Sequence, residues 1–201
     1  MPIGTGIGGP IPEGQDPEEY DRRRRRVLWS MPTGLFVVGS RAGDRANLMT
    51  ANLVMQVATT PKLVAVAVET DAVTTGLIRQ SRTFSISILA RTDRAMVRRF
   101  VKPATDVELG PEATITAIQG EPVMEVSGGV PVLAAAVGWL ACDVRQTVEL
   151  EAGPAQAGSH ILFIGEVVDV GEAVEGGAAP DGESAMGGVL RMEDTRMNYG
   201  G

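Results

Sequence analysis

Apolar residues along this chain come in short runs, and most of these runs have the composition of β-strands. The runs are rich in valine, isoleucine and leucine, and turns rich in glycine, proline and charged residues separate them. Short runs of this kind predict strands. In residues 84–89 large apolar residues alternate with Ser85 and Ser87, which predicts a strand with one buried face. The predicted strands cover residues 35–40, 46–58, 63–68, 84–89, 132–150 and 161–170.

Three short helices are predicted, at residues 17–30, 73–81 and 93–101. The first begins with Pro17 and two glutamates and then carries five consecutive arginines at residues 22–26. Acids at the start of a helix and bases later suit the helix dipole. On a helix the arginines spread around several faces, and apolar neighbours such as Val27 and Leu28 are left to contact the body. We interpret the arginine run as a solvated or subunit-contacting face, with a polyanion site as the alternative.

The pattern predicts one folded domain, residues 17–201, after a tail at residues 1–16. The tail consists mostly of glycine, proline, isoleucine and threonine without periodicity, so we expect it to be flexible. Residues 171–188 are rich in glycine, alanine and acids and are predicted to be a mobile loop. Closely spaced strands with only brief helices favour a closed antiparallel barrel over a doubly wound sheet.

Composition narrows the classes of function. The chain has 201 residues, a formal net charge of −7 and 44% hydrophobic residues. An acidic chain is poorly suited to neutralising phosphates, which argues against a nucleic-acid partner. One histidine and one cysteine exclude zinc sites with several His and Cys ligands, so no metal site is expected. We find neither a signal peptide nor an apolar run long enough to span a membrane, and we expect a cytoplasmic protein with no membrane partner.

Protein-based nucleophilic catalysis has little support in the sequence. His160 is the single imidazole, no G-x-S-x-G motif occurs, and Cys142 lies in an apolar run typical of an inert core thiol. Threonines cluster instead around the start of the second predicted helix, at Thr70, Thr74 and Thr75. Hydroxyl groups and free N–H groups at a helix start can bind phosphate, although threonine is also an ordinary capping residue.

Several segments, taken in chain order, resemble the flavin reductase-like family with its FMN-binding split barrel. The opening strand resembles MPTGLFVV at residues 31–38, and the second resembles NLMTANLVMQV at residues 47–57. The family's later G-D-H-x-x-x-x-G-E-V strand is similar to GSHILFIGEVV at residues 158–168, with Ser159 in place of the aspartate. The final NYGG resembles the close of a flavoredoxin-like branch.

The resemblance implies a fold and a function. The fold is mainly β with short helices, a split antiparallel β-barrel of Greek-key type that forms a homodimer. The implied function is that of an FMN-binding, NAD(P)H-dependent oxidoreductase, a flavin reductase supplying reduced flavin to a partner monooxygenase, with FAD as the other possible flavin. The alternatives are a non-catalytic flavin-binding or electron-carrier protein, and a binding module for another planar anionic cofactor.

The resemblance also assigns site residues. The flavin ring and ribityl chain would lie against Met49, Thr50, Ala51, Asn52 and Leu53, with Thr33 and Gly34 close by. Thr70, Thr74, Thr75 and Arg79 would hold the phosphate. His160 would stand near the flavin or the nicotinamide as the catalytic residue, and Tyr199 would cover the site.

Overall fold

The computed structural model describes residues 10–153, 156–172 and 188–195, and in them most of the chain is antiparallel β-structure. The three α-helices are α1 (Pro17–Trp29), α2 (Val73–Ser81) and α3 (Arg94–Arg99). The strands are β1 (Phe36–Ala42), β2 (Arg45–Ala51), β3 (Val54–Thr59), β4 (Lys62–Glu69), β5 (Thr83–Ile88), β6 (Val107–Leu109), β7 (Ile115–Ile118), β8 (Glu121–Val126), β9 (Val130–Leu133), β10 (Gly138–Gly153) and β11 (Gln156–Glu172).

The strands form two sheets. Seven strands make the large sheet, in the order β2-β1-β5-β10-β11-β4-β3, and four make the small sheet, in the order β6-β7-β8-β9. The predicted mainly β fold is therefore confirmed. The closed barrel favoured by the strand spacing is not, because the described strands form two open sheets. The small sheet spans residues 107–133, and the hydrophobic pattern predicted no strand there before residue 132, because its strands have only three to six residues.

Two of the predicted strands are divided in the structure. The single strand predicted at residues 132–150 is wrong, because β9 ends at Leu133 and β10 begins only at Gly138. The prediction of a single strand at residues 46–58 is wrong, because the chain breaks at Asn52 and Leu53 and continues as β3. β2 and β3 form the opposite edges of the large sheet. Since two residues span only about 7 Å, the two edges must approach each other at this point. The large sheet is therefore curled, and Asn52 and Leu53 form its corner.

Apolar side chains pack on both sides of the large sheet. One cluster inside the curl contains Val38, Ile86 and Phe163, and another, between the large and small sheets, contains Val37, Leu48 and Ile118. The predicted single buried face of residues 84–89 is incorrect, since Ser85 and Ser87 are also fully buried. Their hydroxyl groups bind the backbone of β9, which docks the small sheet: Ser85 Oγ donates to Pro131 O at 2.5 Å, and Ser87 Oγ accepts from Leu133 N at 3.0 Å.

The first helix, α1, forms where the sequence predicts it, but its apolar side chains are not buried against the rest of the domain. Asp16 caps it by accepting a hydrogen bond from Glu19 N at 2.9 Å. The expectation that its apolar residues contact the body is wrong, because no residue of α1 is buried and Val27 and Leu28 are 64% and 51% exposed. The side chains of Arg23 and Arg24 lie over the Tyr20 ring instead.

Gly39 on β1 permits a close approach between the two sheets. A Cβ at this position would overlap Pro131 O and Ser85 Oγ. We predict that Gly39→Ala lowers the free energy of unfolding by about 1–3 kcal/mol. The reason is that neither Pro131 O nor Ser85 Oγ can move without breaking the hydrogen bond between them. Urea unfolding followed by circular dichroism measures this change.

The matched control is Gly76→Ala on α2, where a Cβ meets no atom within 4 Å. Alanine has a higher helix propensity than glycine, so the free energy of unfolding of this variant should rise by roughly 0.5–1 kcal/mol. Equal stability of the two variants would contradict the close approach at Gly39.

Candidate functional site

The corner at Asn52 and Leu53 lies where several predicted site segments meet. Phe36 on β1 pairs with Ala51 on β2, so Gly34, two residues before Phe36, lies beside the end of β2. On the other side, Leu53 O accepts a hydrogen bond from Ala67 N at 3.0 Å, which places the end of β4 beside the corner. The curl thus brings together residues that are up to 35 positions apart in the chain.

Asn52 carries the polar side chain that this corner leaves available. Thr50 is committed to α3, because its Oγ1 donates to Val97 O at 2.7 Å and its N–H donates to Phe100 O at 3.0 Å. Ala51 is buried, and Met49 and Asn52 are half-buried. In the described part of the chain, the Asn52 side-chain amide has no hydrogen-bond partner. A half-buried amide of this kind can both donate to and accept from a ligand.

The start of α2 presents free backbone donors. Its N-cap residue, Ala72, provides no side-chain cap, and the first backbone hydrogen bond of the helix runs from Gly76 N to Ala72 O at 3.4 Å. The N–H groups of Val73, Thr74 and Thr75 therefore precede the hydrogen-bonded part of the helix. Such groups, together with the helix dipole, favour an anion at this end.

The threonine hydroxyl groups hold the start of α2 in place. Thr75 Oγ1 donates to Glu69 O at 2.7 Å, and Thr74 Oγ1 accepts from Asn47 Nδ2 at 2.8 Å. Both threonine side chains are almost fully buried. Thr70 Oγ1 donates to Gly158 O at 2.8 Å. What the helix start offers outward is consequently its backbone.

Arg79, the fourth residue predicted to bind the phosphate, lies apart from the three threonines. It sits in the last turn of α2, is about half exposed and forms an ion pair with Glu149 on β10. The guanidinium group of Arg79 is therefore engaged by Glu149.

His160 lies beside the end of β4, close to the start of α2. It pairs with Glu69 across β11 and β4, and Thr70 N donates to Ser159 O at 2.9 Å. The His160 ring is half-buried, and its Nδ1 is 2.8 Å from Ser159 Oγ. Ser159, which replaces the family's aspartate, therefore contacts the imidazole as a neutral partner.

Thr33 and Gly34 lie next to the end of β2 and are held by a distant part of the chain. Thr33 O accepts a hydrogen bond from Met192 N at 3.0 Å, and Gly34 forms an isolated antiparallel β-bridge with Arg191. Among the described residues no partner binds the Thr33 hydroxyl group. Tyr199, the predicted cover of the site, lies outside the described residues.

Asn47 is a supporting residue that the sequence reasoning missed. It is 3% exposed, and its side chain joins Thr74 on α2 to the backbone N–H of Ala104, which donates to Asn47 Oδ1 at 2.8 Å. A recognisable signal was present, because asparagine is depleted in strands and Asn47 lies inside a predicted one. It links β2, the start of α2 and the segment after α3.

Cys142 takes no part in this site. Burial, and to a lesser degree the charge of Asp143, raises the pKa of its thiol to about 12. The thiol therefore stays protonated at neutral pH, and a thiolate nucleophile is not available. In the ranges that the structure describes, no group of three or more His, Cys, Asp or Glu side chains is placed to hold a metal ion. None of the described helices is both long enough and apolar enough to cross a membrane.

Comparison with known proteins identifies a common family. Residues 28–184 match the family described as "Flavin reductase like domain". The NADH-dependent FAD reductase of Streptomyces globisporus is 31% identical over 144 residues, which are 72% of each chain.

Solved structures agree with this match. The NADH:FAD oxidoreductase of Streptomyces globisporus C-1027 superposes with a TM-score of 0.61 and 27% identity, covering 81% of this chain and 87% of that one. The styrene monooxygenase flavin reductase of Pseudomonas putida S12 shares the fold, with a TM-score of 0.58, 23% identity and coverage of 74% and 85%.

Proposed function

This chain belongs to the flavin reductase-like family, and from that membership we propose that it is a flavin-dependent NAD(P)H oxidoreductase that reduces flavin. One observation carries the proposal: the unpartnered Asn52 amide lies at the corner of the sheet, β4 runs beside that corner, and the uncapped start of α2 follows directly after β4. A flavin mononucleotide has a polar ring edge at one end and a phosphate at the other. The amide suits the first, and the free N–H groups of α2 suit the second.

The residues around the corner would hold the flavin without taking part in bond making. Asn52 and the backbone of Ala51 would bind the polar edge of the ring, and Thr33 and Gly34 would border it. The N–H groups of residues 73–75 would bind the phosphate, while Thr70, Thr74 and Thr75 keep the helix start in position. When bound, the flavin supplies the hydride-accepting centre, so the protein needs no nucleophile.

His160 is the proposed catalytic residue. Its ring lies beside the end of β4, and its Nδ1 is engaged with Ser159 Oγ, which leaves Nε2 available. A polar group beside the reacting rings can stabilise charge that develops during hydride transfer. We propose that His160 does so, and that Ser159 orients its ring.

We propose FMN as the flavin, with FAD as the alternative. The sequence resemblance favours FMN, whereas the name of the Streptomyces relative specifies FAD. The same name specifies NADH, and NADPH is the other donor that the family resemblance allows. An electron-carrier protein that receives electrons from a partner is the second candidate, because the same site would bind flavin in both cases.

We further propose a cytoplasmic reductase component that supplies reduced flavin to a monooxygenase. A structural neighbour with the same fold is the flavin reductase of styrene monooxygenase. The single, buried and unpaired Cys142 suits a reducing compartment. Residues 17–201 form the flavin domain in this proposal. The predicted flexible tail, residues 1–16, lies for the most part in residues 1–9, which are outside the described residues.

The outer face of the large sheet supports a homodimer. Leu162 and Ile164 alternate with the buried Phe163 on β11, and they pair with Ala67 and Ala65 on β4, so all four residues share the outer face. Met55 on β3 pairs with Ala65 and is 65% exposed. Ala65 is buried, whereas Ala67, Leu162 and Ile164 are half-buried. Apolar surface of this kind marks an interaction site. We propose that a second copy of the chain covers it.

Anaerobic reduction tests the proposed activity. Protein reconstituted with FMN, and separately with FAD, is mixed with NADH or NADPH in the absence of oxygen. We expect the absorbance band at about 450 nm to disappear with one nucleotide, since oxidised flavin loses this band on accepting a hydride. Bound flavin that stays oxidised would favour the electron-carrier candidate. No binding of either flavin would rule out both functions and favour a different planar anionic cofactor.

His160 can be tested by separating chemistry from binding. We predict that His160→Ala slows anaerobic flavin reduction at least about tenfold while the flavin Kd changes less than about threefold, because the ring acts mainly on charge developing in the transition state. Stopped-flow absorbance gives the rate, and flavin fluorescence gives the Kd. Ser159→Ala is the matched control and should show a smaller effect. Equal losses of rate and affinity would indicate a structural role for His160.

The dimer prediction concerns the outer face. Wild-type protein should sediment at twice the chain mass of 21.1 kDa. Ile164→Glu should shift it to the monomer, because a buried charge at an apolar interface is costly. Val101→Glu, a change at a residue 46% exposed in the segment after α3, is the control and should leave the mass unchanged. A monomeric wild type would contradict the proposal.

A further inference from the structure

The last described segment of the chain, residues 188–195, is inserted between two strands that lead to the candidate site. β1 and β5 pair directly from Phe36 and Ile88 onward. Beyond that pair they separate, and Leu190 bonds to both: Leu35 N donates to Leu190 O at 3.1 Å, and Leu190 N donates to Leu89 O at 2.9 Å. We call residues 188–192 the C-terminal strap.

The strap is anchored by its core residue and by backbone bonds. The Leu190 side chain is 1% exposed and packs in the same cluster as Leu35 and Leu89. Met192 N donates to Thr33 O at 3.0 Å, and Arg91 N donates to Gly188 O. The carbonyl group of Thr33 and the N–H of Leu35, on either side of Gly34, therefore take their partners from the strap.

An ion pair just beyond the strap, at Asp194, joins this part of the chain to the segment after β5. Arg91 follows β5, and its Nε and Nη2 lie 2.7 Å and 2.6 Å from Asp194 Oδ1. Asp194 Oδ2 also accepts from Arg191 N at 3.1 Å, and the Asp194 side chain is only 5% exposed. The hydrogen bond from Arg91 is the main cause that lowers the pKa of Asp194, so the carboxylate is charged at neutral pH. The buried carboxylate thus accepts from three donors, which strengthens the pair even though the Arg91 side chain is 56% exposed.

We propose that Arg91 and Asp194 are positioning residues for the flavin site, because they lock the strap that fixes Thr33 and Gly34. This inference rests on the proposed function, in which those two residues border the flavin. Neither Arg91 nor Asp194 contacts the flavin in this proposal. They act through the strap, whose backbone determines the conformation of the segment before β1. The flavin site is thereby built from two ends of the domain, residues 33–53 and residues 188–195.

The experiment has two readouts on the full chain. The first is amide hydrogen exchange of the flavin-free protein, wild type against Arg91→Ala and Asp194→Asn. We expect faster exchange at Leu35, Leu190 and Arg91, whose N–H groups bond across the strap, and unchanged exchange in β10 and β11. The second is the Kd for FMN, which should rise about three- to tenfold in both variants. Arg91→Lys keeps the charge and should restore part of the affinity.

Arg99→Ala is the matched control. It breaks an exposed ion pair of similar kind, Arg99 Nε to Glu121 Oε1 at 3.0 Å, between α3 and β8. Its Kd for FMN should stay within about twofold of wild type, as expected for an exposed pair. Equal weakening by Arg99→Ala would reduce the effect to general destabilisation and overturn the inference.

Two further results would overturn it. One is unchanged exchange at the strap in the Arg91 and Asp194 variants, and the other is faster exchange with an unchanged Kd. Failure of the proposed function would look different. In that case the wild type itself would bind neither FMN nor FAD, whereas the exchange experiment would still show whether the Arg91–Asp194 ion pair holds the strap in place.

Discussion

The two-residue connection at Asn52 and Leu53 is the constraint on which the candidate site depends. It joins strands at opposite edges of a seven-stranded sheet, and a chain of that length cannot span a flat sheet. The sheet must therefore curl until its edges approach. Curling brings the segment before β1, the end of β2 and the end of β4 to one place, and the start of α2 follows directly after β4.

Buried polar groups decide how the remaining elements dock on this curled sheet. Asn47 holds the start of α2 and the segment after α3, and Thr50 holds the end of α3. Ser85 and Ser87 bind β9 in the same way. Each of these side chains is buried with a backbone or side-chain partner, and an unpaired polar group at such a depth would be costly. These bonds specify one arrangement, whereas apolar packing alone would permit several.

The threonine hydroxyl groups at the start of α2 hold the helix in place and are not free to bind a ligand. Thr74 and Thr75 are typical phosphate-binding residues by composition, yet both hydroxyl groups are engaged with the protein. The start of α2 nevertheless favours anion binding, because its first backbone N–H groups have no side-chain cap. A site of this kind depends on a rigid helix start more than on the identity of an exposed side chain.

The sequence alone determined the class of fold, the three helices and most strands of the large sheet, because those features follow from local runs and periodicity. The order of its motifs also indicated the family. The sequence did not determine that residues 46–58 form two strands, since an apolar run looks the same whether or not the chain turns within it. Nor could it show that residues 188–192 lie between β1 and β5. That insertion joins residues about 100 to 155 positions apart, and only the tertiary structure brings such distant backbone groups within hydrogen-bonding distance.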